Sequence, residues 1–157
     1  MHLIFARSVV LFFGIAILLG FNNAYVNSAV YGTDGRDLET WYIHVVNQVL
    51  GTGGGLPLLV HCKSADDDLG PHVLQPGEQT TWHFKTAVFK KTKFWCFLNA
   101  NNQVHKSLDV FWEEKTPWLH DRCYPQDCIW TAKNEGIFIK NTHTNIDELV
   151  HLWEEGP

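Results

Sequence analysis

The sequence predicts an all-β protein, an antiparallel β-sandwich of about seven or eight short strands stapled by two disulfides. Short segments in which apolar and polar residues alternate recur roughly every 8–15 residues, with Gly, Pro and Asn between them. No long helical pattern interrupts them, and the polar connections are too short for the crossover helices that a parallel sheet needs. The even number of cysteines, which follow a segment typical of secretory signals, predicts the two disulfides.

The amino-terminal segment has the composition of a secretory signal peptide. Arg7 supplies a basic start, and residues 9–21 form an apolar run that is shorter than the roughly 20 residues of a transmembrane helix. Small residues at Ala24, Ser28 and Ala29 favour cleavage between positions 24 and 29, and an uncleaved anchor is the alternative. We expect a signal over residues 1–28, a flexible leader over 29–40 and the sandwich domain over 41–157, in a secreted, extracellular protein.

Loss of the signal makes the chain more acidic. The full sequence has a formal net charge of −5, and removal of Arg7 with no acidic residue gives −6 for the mature chain. Binding to a phosphate backbone needs clustered Lys and Arg, and the small basic group Lys90, Lys91 and Lys93 is interpreted as a solvated hairpin tip. We therefore expect no nucleic acid partner, and no membrane insertion once the signal has been removed.

The predicted strands begin at residue 41, where Trp41, Ile43 and Val45 alternate with Tyr42, His44 and Val46. The glycine-rich residues 51–55, and residues 75–78, 99–102 and 134–136, are predicted turns. The predicted strands cover residues 41–46, 56–63, 80–84, 93–99, 108–112, 128–133 and 136–140. Their spacing favours an immunoglobulin-like sandwich. The end of the chain fits one helical face from Ile146 to Trp153, and a strand over 149–153 fits equally well.

The second predicted strand ends in a cysteine that three aspartates soon follow. Val60 and Cys62 share one face of this strand, so Cys62 points into the core. The aspartates at 66–68 repel one another and require water, so they indicate a solvated turn, after which Gly70 and Pro71 allow the chain to reverse. A calcium site is the alternative, but the run lacks the spaced Asp or Asn residues and the terminal Glu of a calcium loop.

All four cysteines are expected to form disulfides. Cys62, Cys96 and Cys128 lie on inward positions of predicted strands, and Cys123 lies in the polar stretch 113–127. No Cys or His pair has the spacing of zinc ligands. Three pairings are possible. We favour Cys62–Cys128 with Cys96–Cys123, in which one bridge joins core strands and the other ties the long loop to the domain.

No motif in the sequence indicates catalysis. The nine histidines are scattered, and several fall on the polar positions of predicted strands, as at His44, His61, His83 and His105. A nucleophile elbow, a zinc-protease motif and a glycine-rich phosphate loop are all absent from the sequence. We predict no enzyme activity, no cofactor and no metal site.

The polar stretch after the fifth predicted strand is the candidate binding loop. It mixes charges of both signs with an aromatic residue, as binding loops on sandwich scaffolds do, and Trp and Arg are common anchors of interfaces. A surface loop without a binding role is an equally consistent interpretation. The candidate receptor-binding residues are Glu113, Glu114, Lys115, Trp118, His120, Asp121 and Arg122.

Six segments, taken in order, carry a family resemblance. They are VVN at 45–47, LLVHCKSADDDLGPHVLQPGE at 58–78, TTWHF at 80–84, TKFWCFL at 92–98, LDVFW at 108–112 and CIWTAKNEGIFI at 128–139. Together they resemble the plant self-incompatibility S-protein homologue family of small secreted proteins over roughly residues 41–153. The glycine-rich residues 51–55 depart from the family's usual pattern.

This resemblance implies a secreted β-sandwich with two disulfides, no known catalytic activity and a closing strand rather than a helix. The poppy proteins of the family that this chain resembles are ligands expressed in the stigma and recognised by a pollen membrane receptor. Recognition there triggers calcium entry and the death of incompatible pollen. Allele recognition there is attributed to polar surface loops, and the loop at 113–127 corresponds best to one of them.

We therefore expect a monomeric, non-enzymatic signalling ligand that a membrane receptor on another cell recognises, with pollen–pistil recognition as one setting. The alternatives are a secreted defence protein, a carbohydrate-binding module that uses Trp118, and an extracellular hydrolase. A wall hydrolase displays paired carboxylates in a cleft, whereas the acidic residues here concentrate in turns, which disfavours the hydrolase.

Overall fold

Two five-stranded sheets pack face to face in the part of the chain that the computed structural model describes, residues 39–51, 53–86, 91–113 and 117–156. The elements are β1 (Thr40–Asn47), β2 (Leu58–Ser64), β3 (Asp68–Leu74), β4 (Gln79–Lys85), β5 (Lys93–Ala100), β6 (Val104–Trp112), α1 (Trp118–Arg122), β7 (Asp127–Lys133), β8 (Gly136–Asn141), β9 (Ile146–Leu152) and β10 (Glu154–Glu155). The predicted sandwich is confirmed, with ten strands described rather than seven or eight. The predicted signal and most of the leader lie outside the described residues.

The strand order places β1 and β10, the first and last described strands, in different sheets. The first sheet has the order β4-β1-β7-β8-β9, and the second has the order β10-β6-β5-β2-β3. One pair departs from the expected antiparallel pattern: β1 and β7 are parallel, with Tyr42 opposite Asp127 and Asn47 opposite Ala132. No crossover helix is needed for this pair, because the chain between its two strands contains four strands of the second sheet, β2, β3, β5 and β6.

The core lies between the sheets and follows the predicted alternation. Ile43 and Val45 of β1 and Val60 of β2 are fully buried, while their neighbours in sequence are more exposed. Trp130 of β7 crosses the core, where its indole N–H donates a hydrogen bond of 3.0 Å to the carbonyl of Val110 on β6. This bond satisfies the one polar atom of the indole and joins the two sheets.

A single buried amide makes further connections between the sheets. Asn47, at the end of β1, is fully buried. Its side-chain N–H groups donate to the carbonyls of Leu56 (2.7 Å) and Leu74 (2.9 Å), and its side-chain oxygen accepts a bond from the amide of Val49 (3.0 Å). The backbone of Asn47 also bonds to Gly77 and Glu78 in the turn before β4. Every polar atom of this side chain thus has a partner, as burial requires.

The chain reverses before Asp68 rather than at Gly70 and Pro71, so the predicted position of the reversal is wrong. The amide of Ser64 donates to the carbonyl of Asp67 across the turn (2.8 Å), and Gly70 and Pro71 lie inside β3. A proline is tolerated there because β3 is an edge strand, where one missing N–H breaks no ladder on the solvent side.

Asp68 begins β3 and bonds to β2. Its carboxylate lies 2.9 Å from Lys63 Nζ and 2.6 Å from His61 Nε2. These bonds, that of Lys63 above all, hold the pKa of Asp68 well below its usual range. Of the predicted basic tip, Lys90 lies outside the described residues, whereas Lys93 Nζ lies 2.8 Å from the carboxylate of Asp109.

The favoured disulfide pairing is wrong. The structure joins Cys62 to Cys96 and Cys123 to Cys128. Cys62 and Cys96 are opposite each other on neighbouring strands β2 and β5, with Cα atoms 4.0 Å apart, whereas Cys128 lies in the other sheet. Cys123 follows α1 directly, and its Cα lies 4.5 Å from that of Cys128 at the start of β7. The strand expected at the end of the chain is present as β9.

Replacement of Asn47 by Ala should lower the free energy of unfolding by about 3 kcal/mol, because several buried peptide groups lose their partners together. Chemical denaturation at neutral pH measures this loss. Gln103→Ala is the matched control, since the Gln103 side chain is exposed in the turn between β5 and β6. Equal stability of the two variants would contradict the view that the hydrogen bonds of Asn47 hold the two sheets together.

The two disulfides should differ in their contribution to stability, because they close loops of different length. The loop-closure relation gives about 4 kcal/mol for the Cys62–Cys96 bridge and about 2 kcal/mol for the Cys123–Cys128 bridge, whose sequence separations are 34 and 5. Denaturation of the Cys→Ala double variants measures both losses. A larger loss for the Cys123–Cys128 pair would contradict this ranking.

Candidate functional site

The predicted binding loop contains a short helix. Helix α1 begins after Pro117 and ends at Arg122, and its bonds run from the amide of Asp121 to the carbonyl of Pro117 (2.8 Å) and from Cys123 to Leu119 (2.7 Å). Leu119 is buried to 1% exposure, so one turn of the helix is anchored in the core. The Cys123–Cys128 disulfide then ties the end of the helix to β7.

Trp118 and Arg122 connect α1 to both sheets. The indole of Trp118 stacks on that of Trp112 on β6, with centroids 5.6 Å apart, and the guanidinium of Arg122 lies 4.3 Å from the Trp118 ring centroid. Arg122 Nε also donates a bond of 2.8 Å to Glu148 on β9. Hydrogen bonds from Asn141 and then Arg122 lower the pKa of Glu148. The ring of Trp118 is therefore occupied by contacts within the protein.

His120 and Asp121 face outward from α1. The imidazole of His120 contacts the buried indole of Trp41 edge-on, at 4.7 Å between centroids, and its Nε2 lies 3.8 Å from the carboxylate of Glu39. Just beyond the helix, Tyr124 is 61% exposed and stacks on His143. Sequence reasoning missed Tyr124, although the sequence shows a tyrosine next to a cysteine in a polar loop. We define His120, Asp121 and Tyr124 as the α1 surface.

The remaining predicted site residues do not extend this surface in the described structure. Glu113 follows β6, and its carboxylate accepts a bond of 3.1 Å from the amide of Thr92. Glu114 and Lys115 lie outside the described residues. The structure thus places His120 and Asp121 at the surface, and it places Trp118 and Arg122 in the contacts that hold the helix.

A cleft of about 340 Å³ lies next to α1, and no sequence motif predicts it. Trp112, which stacks on Trp118, is part of its wall, so the cleft adjoins the helix. It forms where β9 of the first sheet approaches β6 of the second, a contact that no local pattern encodes. The residues that line it are Lys93, Asp109, Trp112, Trp130, Val150 and His151.

His151 is the one histidine of this lining. Its partial burial lowers the pKa of the imidazole, since the charged form loses hydration, and the nearby positive charge of Lys106 lowers it further. The carboxylates of Asp109 and Glu154 oppose this shift. Glu154 itself is held by Lys106, whose ammonium group lowers the pKa of Glu154. The imidazole of His151 is therefore biased toward its neutral form.

Three polar side chains form a connected row on the outer face of the first sheet. Thr81 Oγ1 is 2.9 Å from His44 Nδ1, and His44 Nε2 is 2.8 Å from the carboxylate of Asp127. A hydroxyl, an imidazole and a carboxylate in this order resemble a catalytic triad, but a triad also needs a site where an oxyanion can be stabilised. Here the three side chains stand on three adjacent strands of a sheet face, opposite the buried side chains of β1. They serve to connect β4, β1 and β7.

Within the described ranges, no group of three or more His, Cys, Asp and Glu side chains is placed to hold a metal ion. The same residues include no helix with the length and apolar character that a membrane crossing requires.

The chain is similar in sequence both to a family model and to individual proteins of the same kind. Residues 42–153 match the sequence model of the family described as plant self-incompatibility protein S1. S-protein homolog 1 of Arabidopsis thaliana is 37% identical over 132 residues, which cover 81% of this chain and 83% of that protein. S-protein homolog 74 of Arabidopsis thaliana is 33% identical over 119 residues, which cover 76% of this chain and 75% of that protein.

Among solved structures, a self-incompatibility protein homologue has a similar fold. It belongs to proteins described as a widespread family of small, highly stable, secreted proteins from plants. The TM-score is 0.53 at 17% sequence identity, over 76% of this chain and 98% of that chain. At this identity the likeness shows the shared fold.

Stability should fall as the pH drops below about 6.5, the ordinary pKa of a histidine, because His151 takes up its proton in the unfolded chain before it does so in the folded chain. His151→Gln should flatten this part of the profile, measured by chemical denaturation between about pH 5 and 7. NMR titration should show the imidazole of His151 titrating below its ordinary range. An ordinary or raised pKa would contradict the prediction.

Proposed function

Because the chain belongs to the plant self-incompatibility protein S1 family, whose members are small secreted plant proteins, we propose that it is a non-enzymatic signalling ligand recognised by a membrane receptor on another cell. The single observation that supports this function best is the α1 surface. It presents side chains of mixed polarity on, and just beyond, a helix that the protein itself holds in place.

The rigidity of this surface favours recognition. Leu119 anchors α1 in the core, the Cys123–Cys128 disulfide fixes its end, and Arg122 ties it to Glu148 on β9. A loop that is already ordered loses little conformational entropy when a partner binds. The fixed position of α1 therefore favours a docking element over a surface loop without a binding role.

The chemistry of the α1 surface suits a protein partner. Tyr124 offers an exposed aromatic ring, and tyrosine is enriched at the centres of interfaces. Asp121 and His120 provide hydrogen-bonding and charged groups beside it, which select partners of complementary polarity. We infer that the receptor binds here with Tyr124 as the anchor.

The cleft beside α1 argues against the glycoside-hydrolase alternative. Glycoside hydrolysis uses two carboxylates that flank the scissile bond. Asp109 is the one carboxylate among the residues that line this cleft, and it is paired with Lys93 at 2.8 Å. A hydrolase mechanism of that kind therefore finds no support at this cleft.

We propose that this ligand acts in pollen–pistil recognition, a setting that family membership supports. Expression distinguishes this setting from general cell signalling. Transcript confined to the pistil would support the reproductive role, and transcript in seedlings or roots would contradict it while leaving the ligand function in place.

Substitution of the α1 surface should weaken receptor binding. The triple variant His120→Ala, Asp121→Ala, Tyr124→Ala should bind plasma-membrane vesicles from the responding tissue at least about tenfold more weakly than the unchanged protein. Saturation binding of labelled protein measures the dissociation constant, and treatment of the vesicles with protease should abolish the specific signal.

The control is the triple variant Val73→Ala, Gln79→Ala, Glu135→Ala, whose three side chains are exposed on other parts of the domain. It should keep its affinity within about twofold, since surface substitutions away from an interface have small effects. Equal weakening by both triple variants, or binding that survives protease, would overturn the proposed receptor site. Melting temperatures of both variants establish that the fold is intact.

A further inference from the structure

An exposed tryptophan stands on the central strand of the second sheet. Trp95 of β5 is 38% exposed on the outer face, where its neighbours Phe94 and Cys96 point into the core. Phe97, two residues further on, lies on the same face and is partly exposed. Alternate residues of a strand are about 6.8 Å apart. The outer face therefore carries two aromatic rings in a row.

Paired charges flank these rings. Trp95 lies opposite Lys63 on β2 and Asp109 on β6. Lys63 is paired with Asp68 at 2.9 Å, and Asp109 with Lys93 at 2.8 Å. Because each charge already has a partner, the surface has little net attraction for an ion, but it keeps hydrogen-bond donors and acceptors close together.

The same face is continuous with the cleft beside α1. Lys93 and Asp109 flank Trp95 and also line the cleft, where Trp112 and Val150 form apolar walls. His151 contributes a further polar group to the lining. The volume of about 340 Å³ lies within the range of small-ligand sites. The outer face of the second sheet thus combines an open aromatic surface around Trp95 with a concave cleft at one end.

These properties select a class of ligand. A pyranose ring has an apolar face of C–H groups that stacks on an aromatic ring, and its hydroxyls both donate and accept hydrogen bonds. We propose that the surface formed by Trp95, the Lys93–Asp109 pair and the adjoining cleft binds a neutral oligosaccharide chain. One sugar ring stacks on Trp95, its hydroxyls bond to the paired charges, and a neighbouring ring enters the cleft beside Trp112.

The carbohydrate-binding alternative drawn from the sequence uses Trp118, whereas the site proposed here uses Trp95. The ring of Trp118 is stacked on Trp112 and lies under Arg122, so it offers less free surface to a sugar. The proposal is independent of the receptor function, since the α1 surface and Trp95 share no residue.

Isothermal titration calorimetry of the full mature protein with cellohexaose, xylohexaose and mannohexaose tests the inference. At least one of these neutral hexasaccharides should bind, and Trp95→Ala should weaken that binding at least about tenfold, the usual effect of removing a stacked aromatic anchor. Asp109→Asn should also weaken it, since it removes the charge that holds Lys93. Tyr42→Ala is the matched control, because Tyr42 is 46% exposed on the first sheet, and it should leave binding unchanged.

Four results would overturn the proposal. The first is that none of the three hexasaccharides binds, and the second is that Trp95→Ala and Tyr42→Ala weaken binding equally. The third is that the polyanion oligogalacturonate binds more tightly than every neutral chain. The fourth is that N-acetyltryptophanamide binds and the sugars do not, which would assign the cleft to an apolar side chain of a protein. Trp95→Ala should leave vesicle binding intact, and the α1 triple variant should leave sugar binding intact. Failure of one proposal is thereby distinguishable from failure of the other.

Discussion

The arrangement of the two sheets depends on the buried amide of Asn47. A sandwich core made of apolar side chains alone tolerates sliding of one sheet over the other, because apolar contacts have no direction. The hydrogen bonds of Asn47 do have direction, and they join the end of β1 to Leu56 before β2 and to Leu74 at the end of β3. Since an unpaired amide in the core is costly, this register is favoured over its neighbours. The bond from Trp130 to Val110 fixes the sheets at a second point.

The parallel pairing of β1 and β7 explains where the candidate receptor site lies. The chain leaves β6 in the second sheet and must return to the beginning of β1 before β7 can run alongside it. Residues 117–126 complete this return, and the amide of Tyr42 donates a hydrogen bond of 2.9 Å to the carbonyl of Gln126, next to the start of β7. The segment therefore passes over Trp41, which His120 contacts, and the Cys123–Cys128 bridge closes it. A topological requirement thus places an ordered helix at the surface of the sandwich.

The inward positions of β1, β2 and β5 could be read from the sequence, because burial alternates along a strand. The partner of Cys62 could not, since cross-strand register depends on the whole sheet. Strand β3 escaped prediction because Gly70 and Pro71 carry the signal of a turn, and only an edge position makes that pair compatible with a strand. Helix α1 is too short for a periodic pattern, so its anchor Leu119 went unnoticed. The candidate loop was identified by composition, whereas the cleft arises from strands distant in sequence.

Three of the four outer strands of the sheets share a property that matters once the protein has left the cell. Strand β3 contains Pro71, which lacks an N–H, and β10 has only two residues. Strand β9 is irregular where it faces Ile137 and Phe138 of β8, and it carries two acidic side chains, Asp147 and Glu148. Bare, regular strand edges recruit strands from other molecules, and these interruptions disfavour such recruitment. At these three strands, edge-to-edge aggregation outside the cell is therefore disfavoured.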